Sequence, residues 1–200
     1  GSGGFFRITA GESVLQSFGN GEVERKMKFK IIEASERDTD RITALISSVW
    51  EEMEQKEWFV ADNADYTREM LRSGKGIGYM AIEEETGALA GVFMAVFPGD
   101  SEENLGRDAD LPKEELSKVA HMDSVAVLRE YRGNHLQYRL MQEAEQRLIK
   151  KGYRYLMCTI HPENQYSMQN AVEQGYRVVA LKEKYGGYLR NILLKICTEV

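Results

Sequence analysis

Val125-Ala126-Val127-Leu128-Arg129-Glu130-Tyr131-Arg132-Gly133-Asn134-His135-Leu136-Gln137 reads as a strand that empties through a tight turn into a helix. Apolar residues fill its first third, and Leu136, Leu140, Ala144 and Leu148, widened by Met141 and Ile149, then recur at helical spacing. The pattern predicts a helix over Arg132 to Lys151, stopped by Gly152. The first N–H groups of a helix lack partners and carry partial positive charge, so a phosphate or diphosphate docks there without any buried cation. Gly133 lets the backbone come close. Strands turn into helices in many α/β chains, so the loop alone does not separate phosphate binding from plain packing.

Upstream, Lys28 to Glu33 alternates as a first strand, and Ile42, Leu45, Ile46, Val49, Trp50 and Met53 mark a helix that Asp38 is placed to cap. A short helix follows from Tyr66 to Arg72, ending at Ser73-Gly74. Strands over Gly78–Glu84 and Ala88–Phe97 turn at Thr86-Gly87. Pro98 to Lys118 is a long acidic connection in which Asp110 and Pro112 are placed to open a helical turn. Val119 to Leu128 is the central strand. Downstream come a strand over Tyr153–Ile160, a helix over Pro162–Gln174 closed by Gly175, and strands over Arg177–Lys182 and Tyr188–Ile196. The order β-α-α-β-β-β-α-β-α-β-β predicts an α/β fold with a mixed sheet and parallel neighbours at its middle.

The chain has 200 residues, enough for one domain to bury a core without disulfides or metal. The opening Gly1-Ser2-Gly3-Gly4 reads as an expression-cloning remnant, residues 1–27 as an N-terminal extension, and residues 28–200 as the domain. A net charge of −6 disfavours nucleic acid as a partner, because phosphate backbones reward clustered Lys and Arg. No apolar run reaches the roughly 18 residues of a membrane span. Cys158 and Cys197 lie inside apolar stretches without metal-ligand spacing, so no metal is expected and a cytoplasmic location fits.

The strand ending Val127-Leu128-Arg129-Glu130-Tyr131-Arg132-Gly133 and the later His161-Pro162-Glu163-Asn164…Gly175-Tyr176 segment together resemble the GNAT superfamily of acyl-CoA-dependent N-acetyltransferases. The element order from Lys28 to Ile196 is similar to that whole domain. The resemblance implies a mixed, mostly antiparallel sheet with a central splayed parallel strand pair and helices on both faces. It implies acetyl-CoA as co-substrate and an amine acceptor, a small molecule or a peptide. Arg132, Gly133, Asn134, His135, Leu136 and Gln137 would supply amides to the coenzyme diphosphate. Val125 and Val127 would hold the pantetheine arm through their backbone like an added strand, and Asn164 would reach the same arm. Trp58, Phe59 and Tyr66 fall where the family builds its acceptor site, although aromatic packing explains them equally well.

Two departures stand out. The family commonly carries further glycines after the first, where this chain has His135 and Gln137. Many members also place a proton-donating tyrosine seven residues beyond the asparagine, where this chain has Ala171; Ser167 lies one turn earlier on the same face.

Attack on a thioester needs an unprotonated amine, so a base is required. Asp123 is the candidate, two residues before Val125 on the alternating strand and so on the same face as Val125 and Val127; His121, two earlier, shares that face and is the lesser candidate. A backbone N–H near Val125 would serve the developing oxyanion. The acidic run Asp100, Glu102, Glu103, Asp108 and Asp110 suits a cationic acceptor, although such runs are usually solvated. Gly74-Lys75-Gly76-Ile77-Gly78 precedes a strand and reads as a turn. The sequence leaves a catalytically silent acyl-CoA-binding or sensor module, and an interaction domain on the same fold, as rivals. It leaves acceptor, acyl-chain length and oligomeric state open.

Overall fold

A computed structural model describes residues 26–58, 63–184 and 186–198. The proposed extension lies outside these residues except for Lys26 and Met27, as does Phe59. The strands are β1 (Phe29–Glu33), β2 (Gly76–Glu83), β3 (Leu89–Val96), β4 (Val119–Val127), β5 (Tyr155–Ile160), β6 (Arg177–Lys184) and β7 (Tyr188–Ile196). The helices are α1 (Thr39–Glu52), α2 (Ala64–Ser73), α3 (Leu136–Lys150) and α4 (Gln165–Glu173). The strands form one sheet in the order β1-β2-β3-β4-β5-β7-β6, antiparallel throughout except for β4 and β5. The mixed, mostly antiparallel sheet with a central parallel pair is therefore as expected.

Hydrophobic periodicity decides the layers. Leu136, Leu140, Ala144 and Leu148 of α3 bury their stripe against Ala120, Met122, Val125 and Val127 of β4. Ile42, Leu45, Ile46 and Val49 of α1 cover the opposite face over Val92, Met94 and Ala126. Each such buried side chain contributes about 1.5–3 kcal/mol against exposure, enough to hold both helices down. A third cluster, around Leu105, Val119, Met157 and Ile192, seats the β3–β4 connection.

Two irregularities in β4 shape the site. Its parallel pairing with β5 covers only Val119–His121 against Tyr155–Met157, and beyond His121 the two strands part. On its other edge, Met94 faces Ser124 while Ala95 faces Met122, so Asp123 is the extra residue of a β-bulge. The bulge corrects the uninterrupted alternation expected from the sequence. Asp123 and Ser124 both line space beside Ile46 and Tyr66 on the α1–α2 side, whereas Val125 and Val127 pack on the α3 side.

Several element ends also differ from expectation. The third helix begins at Leu136, four residues late, because Arg129–Tyr131 closes a short 3-10 turn and the chain is extended at Arg132. It then passes through left-handed backbone at Gly133 (φ 85°) and His135 (φ 56°). The last helix starts at Gln165, after the capping residue Asn164. Asp38 does not cap α1 with its side chain; its carboxylate accepts from the Ser35 N–H at 2.9 Å and closes the preceding turn. Asp110 is left-handed (φ 54°), and Pro112 rather than Asp110 precedes the short helix Lys113–Lys118.

Candidate active site

The loop between β4 and α3 presents a row of donors. Among the described residues, none of the backbone N–H groups from Gly133 to Tyr138 donates a hydrogen bond, whereas Tyr131 and Arg132 donate to Leu128 and Arg129 carbonyls. Successive unpaired amides at the start of a 15-residue helix form a concentrated anion site. No acidic side chain stands in the first turn, and the Nε of Arg132 and Nε2 of Gln137 are buried there without a partner among the described residues. Asn134 spends its side-chain amide on the Tyr131 carbonyl at 2.9 Å, tightening the loop. Open space surrounds the Gly133 Cβ position, so glycine is required there by its φ rather than by crowding.

The row leads into the gap between β4 and β5. Leu128 donates its N–H to Ala90 on β3, so the two-residue period of the strand turns the N–H and C=O of Val125 and Val127 the other way, into the gap. An extended chain lying there meets the hydrogen-bonding groups of a strand edge. Asn164 sits across the gap at the start of α4, 5% exposed, its Oδ1 accepting from the Ser167 N–H at 3.2 Å. Its Nδ2 donates to no described residue and is available to a ligand.

Asp123, 2% exposed, lies where the strands separate. It lines a cavity of about 170 Å³ with His121 and Tyr66. His121 is not placed to act as a base: its Nε2 accepts from the Leu105 N–H at 3.0 Å, and burial pushes its pKa down to about 4, with nearby Lys184 acting in the same direction. It stays neutral near pH 7 and holds the β3–β4 connection. Trp58 lies apart from this cavity. Its ring stacks on His161 with centroids 5.5 Å apart, and the preceding Glu57 carbonyl accepts from the Arg190 Nη2 at 2.9 Å. The α1–α2 connection is thereby strapped over the ends of β5 and β7.

Ala171, at the position of the missing tyrosine, is wholly buried. Ser167 is buried as well, Tyr166 is exposed, and Tyr176 has its hydroxyl in the core, where burial raises its pKa well above the ordinary value. The sequence did not reveal the bulge at Asp123, the Trp58–His161 stack, or Lys75 and Glu103 at the same cavity as Asp123, because each depends on contacts between distant segments. Among the described residues no cluster of three or more His, Cys, Asp or Glu could hold a metal, and no helix is long and apolar enough to cross a membrane.

A mixed sheet opened at its central parallel pair, with a row of unpaired amides at a helix N-terminus beside the opening, defines the class of α/β fold. The model of the acetyltransferase (GNAT) family matches residues 40–176, and the chain belongs to that family: it is an acetyltransferase. Solved structures agree on the fold. A GCN5-related N-acetyltransferase from Kribbella flavida is 16% identical, with a TM-score of 0.63 over 84% of this chain and 98% of its own. A GNAT-family acetyltransferase from Streptococcus pneumoniae is 18% identical, with a TM-score of 0.62 over 85% and 100%. Arabidopsis thaliana NAA60, solved with acetyl-CoA, is 10% identical, with a TM-score of 0.68 over 84% and 98%. No curated protein matches the chain significantly.

Proposed function

We propose that the chain transfers the acetyl group of acetyl-CoA to a primary amine by direct attack within a ternary complex. The observation that carries this reading is the continuity of three features: six undonated amides from Gly133 to Tyr138, the outward-turned backbone of Val125 and Val127, and Asp123 where β4 leaves β5. The residues present suit the co-substrate. The amides, with Arg132 and Gln137, receive the diphosphate; Val125, Val127 and Asn164 receive the amide-bearing arm; the thioester then lies beside the bulge. The Arabidopsis NAA60 structures with acetyl-CoA and with a bisubstrate analogue support such an arrangement by analogy of fold.

In the reaction the ammonium of the acceptor gives a proton to the Asp123 carboxylate, directly or through water. Its nitrogen lone pair then forms the N–C bond at the thioester carbonyl. The oxyanion is stabilised by a backbone N–H near Val125. As the carbonyl reforms and the C–S bond breaks, the nitrogen, cationic since its attack, releases its second proton to solvent to leave the neutral amide. The thiolate takes a proton from solvent, a thiol pKa of roughly 8.5 making it a tolerable leaving group, and Asp123 returns its proton to solvent. Most of the acceleration comes from holding amine and thioester together. The two cysteines are unbridged, which accords with a reducing compartment such as the cytoplasm.

Ala171 favours one rival, a catalytically silent acyl-CoA-binding or sensor module. Calorimetry with acetyl-CoA, followed by free-thiol detection across a broad amine panel, separates the readings. Binding with thiol release and an acetylated product by mass spectrometry supports the enzyme; binding without turnover supports the sensor; absence of binding removes both.

A further inference from the structure

The cavity at Asp123 has a divided charge pattern. Its buried end holds the Asp123 carboxylate and the neutral His121, Tyr66 and Phe97 give it ring walls, and exposed Lys75 and Glu103 stand at its open end. Lys75 and Glu103 carry opposite charges and line the same space, yet neither side chain makes an ion pair or hydrogen bond among the described residues. Oppositely charged ends within about 4 Å would count as paired, so the geometry holds these two apart. We infer that, on the acetyl-transfer reading above, the acceptor is a small zwitterionic amine of free amino-acid size, its amine directed to Asp123 and its carboxylate to Lys75.

Three considerations carry this. The volume of about 170 Å³ lies below the roughly 300 Å³ at which drug-sized pockets begin, so the space suits an acceptor whose reacting part has only a few heavy atoms. A simple alkylamine or a diamine would leave the Lys75 ammonium facing another cation or nothing, whereas an amino carboxylate satisfies both ends of the cavity at once. Apolar contacts from Tyr66, Met70 and Phe97 favour an apolar side chain, and Glu103 at the open end opposes a second carboxylate, so aspartate and glutamate are poor acceptors.

The test uses the full chain with acetyl-CoA and the twenty standard amino acids, each beside its decarboxylated amine and with a set of short peptides, followed by free-thiol release. The expected result is turnover of apolar amino acids with kcat/KM at least about tenfold above their decarboxylated counterparts. Lys75→Gln lowers that ratio by about tenfold, through KM, and Lys75→Glu inverts it, while acetyl-CoA affinity reports that the fold is intact. The inference is overturned if decarboxylated amines or peptides are the better substrates, or if Lys75→Gln leaves the ratio where it was. In either case thiol release still supports acetyl transfer. If no acceptor of any kind releases thiol, the inference and the acetyl-transfer reading fall together.

Discussion

At the scale of single residues, the proposed mechanism rests its chemistry on Asp123 and its backbone geometry on Gly133. Replacing Asp123 with Asn keeps volume and polarity but removes the proton acceptor, so kcat at neutral pH is expected to fall about 10²- to 10⁴-fold while acetyl-CoA affinity holds. The loss shrinks as pH rises towards the amine's own pKa, because free amine then forms without help; a pH profile of wild type against variant checks this. Gly133 has φ 85° and empty space around its Cβ position, so the cost of Gly133→Val is backbone strain of about 1–2 kcal/mol rather than a clash. The loop relaxes away from the row of amides, and calorimetry is expected to show acetyl-CoA binding weakened by about tenfold. Both residues were legible as types in the sequence, but the face on which Asp123 lies was not. That face depends on one extra residue in β4, which no two-residue alternation can reveal.

Among the elements, the β3–β4 connection is the least regular and the most tightly tied. Asn104 is fully buried and satisfied, donating to the Gly99 and Leu116 carbonyls at 2.8 and 3.0 Å and accepting from the Gly106 N–H at 2.8 Å. His121 fastens the same segment to β4 through the Leu105 N–H. Its pKa of about 4 in the folded protein, against 6.5 for an ordinary imidazole, sets a pH dependence of stability. Folding favours the neutral ring, so this contribution is complete above about pH 6.5 and is lost as pH falls towards 4, on the order of 2–3 kcal/mol. Denaturant titrations between pH 7 and 4 are expected to show a shallower decline for His121→Gln, which retains an acceptor but does not titrate. An equal slope would place the acid sensitivity elsewhere.

The stripe of α3 was readable because helical spacing is local, and its late start was not. The chain is extended at Arg132 and left-handed at Gly133 and His135, overriding a pattern that would continue the helix.

For the whole molecule, the sheet and its two layers form the proposed coenzyme cleft only when folded, so on that reading acetyl-CoA binds the native state and not the unfolded chain. At a concentration one hundred times its dissociation constant it is expected to add about 2.7 kcal/mol to stability, visible as a rise in Tm that tracks ligand concentration. A Tm indifferent to acetyl-CoA would remove the cleft assignment. Residues 40–176, matched to the family, span the elements from α1 to the start of β6. The β6–β7 hairpin beyond them is nevertheless part of the same sheet through β5.

What the sequence by itself determined was the kind and order of the elements, the amide-rich turn and the family likeness, all of which rest on neighbours a few positions apart. Only the tertiary structure decided where β4 and β5 part, which face Asp123 takes, that His121 is engaged by Leu105, and that Lys75 and Glu103 share a cavity with Asp123. These depend on pairing and packing between segments far apart in the chain, whose geometry is set when the sheet and helices close on one another and not by any local preference.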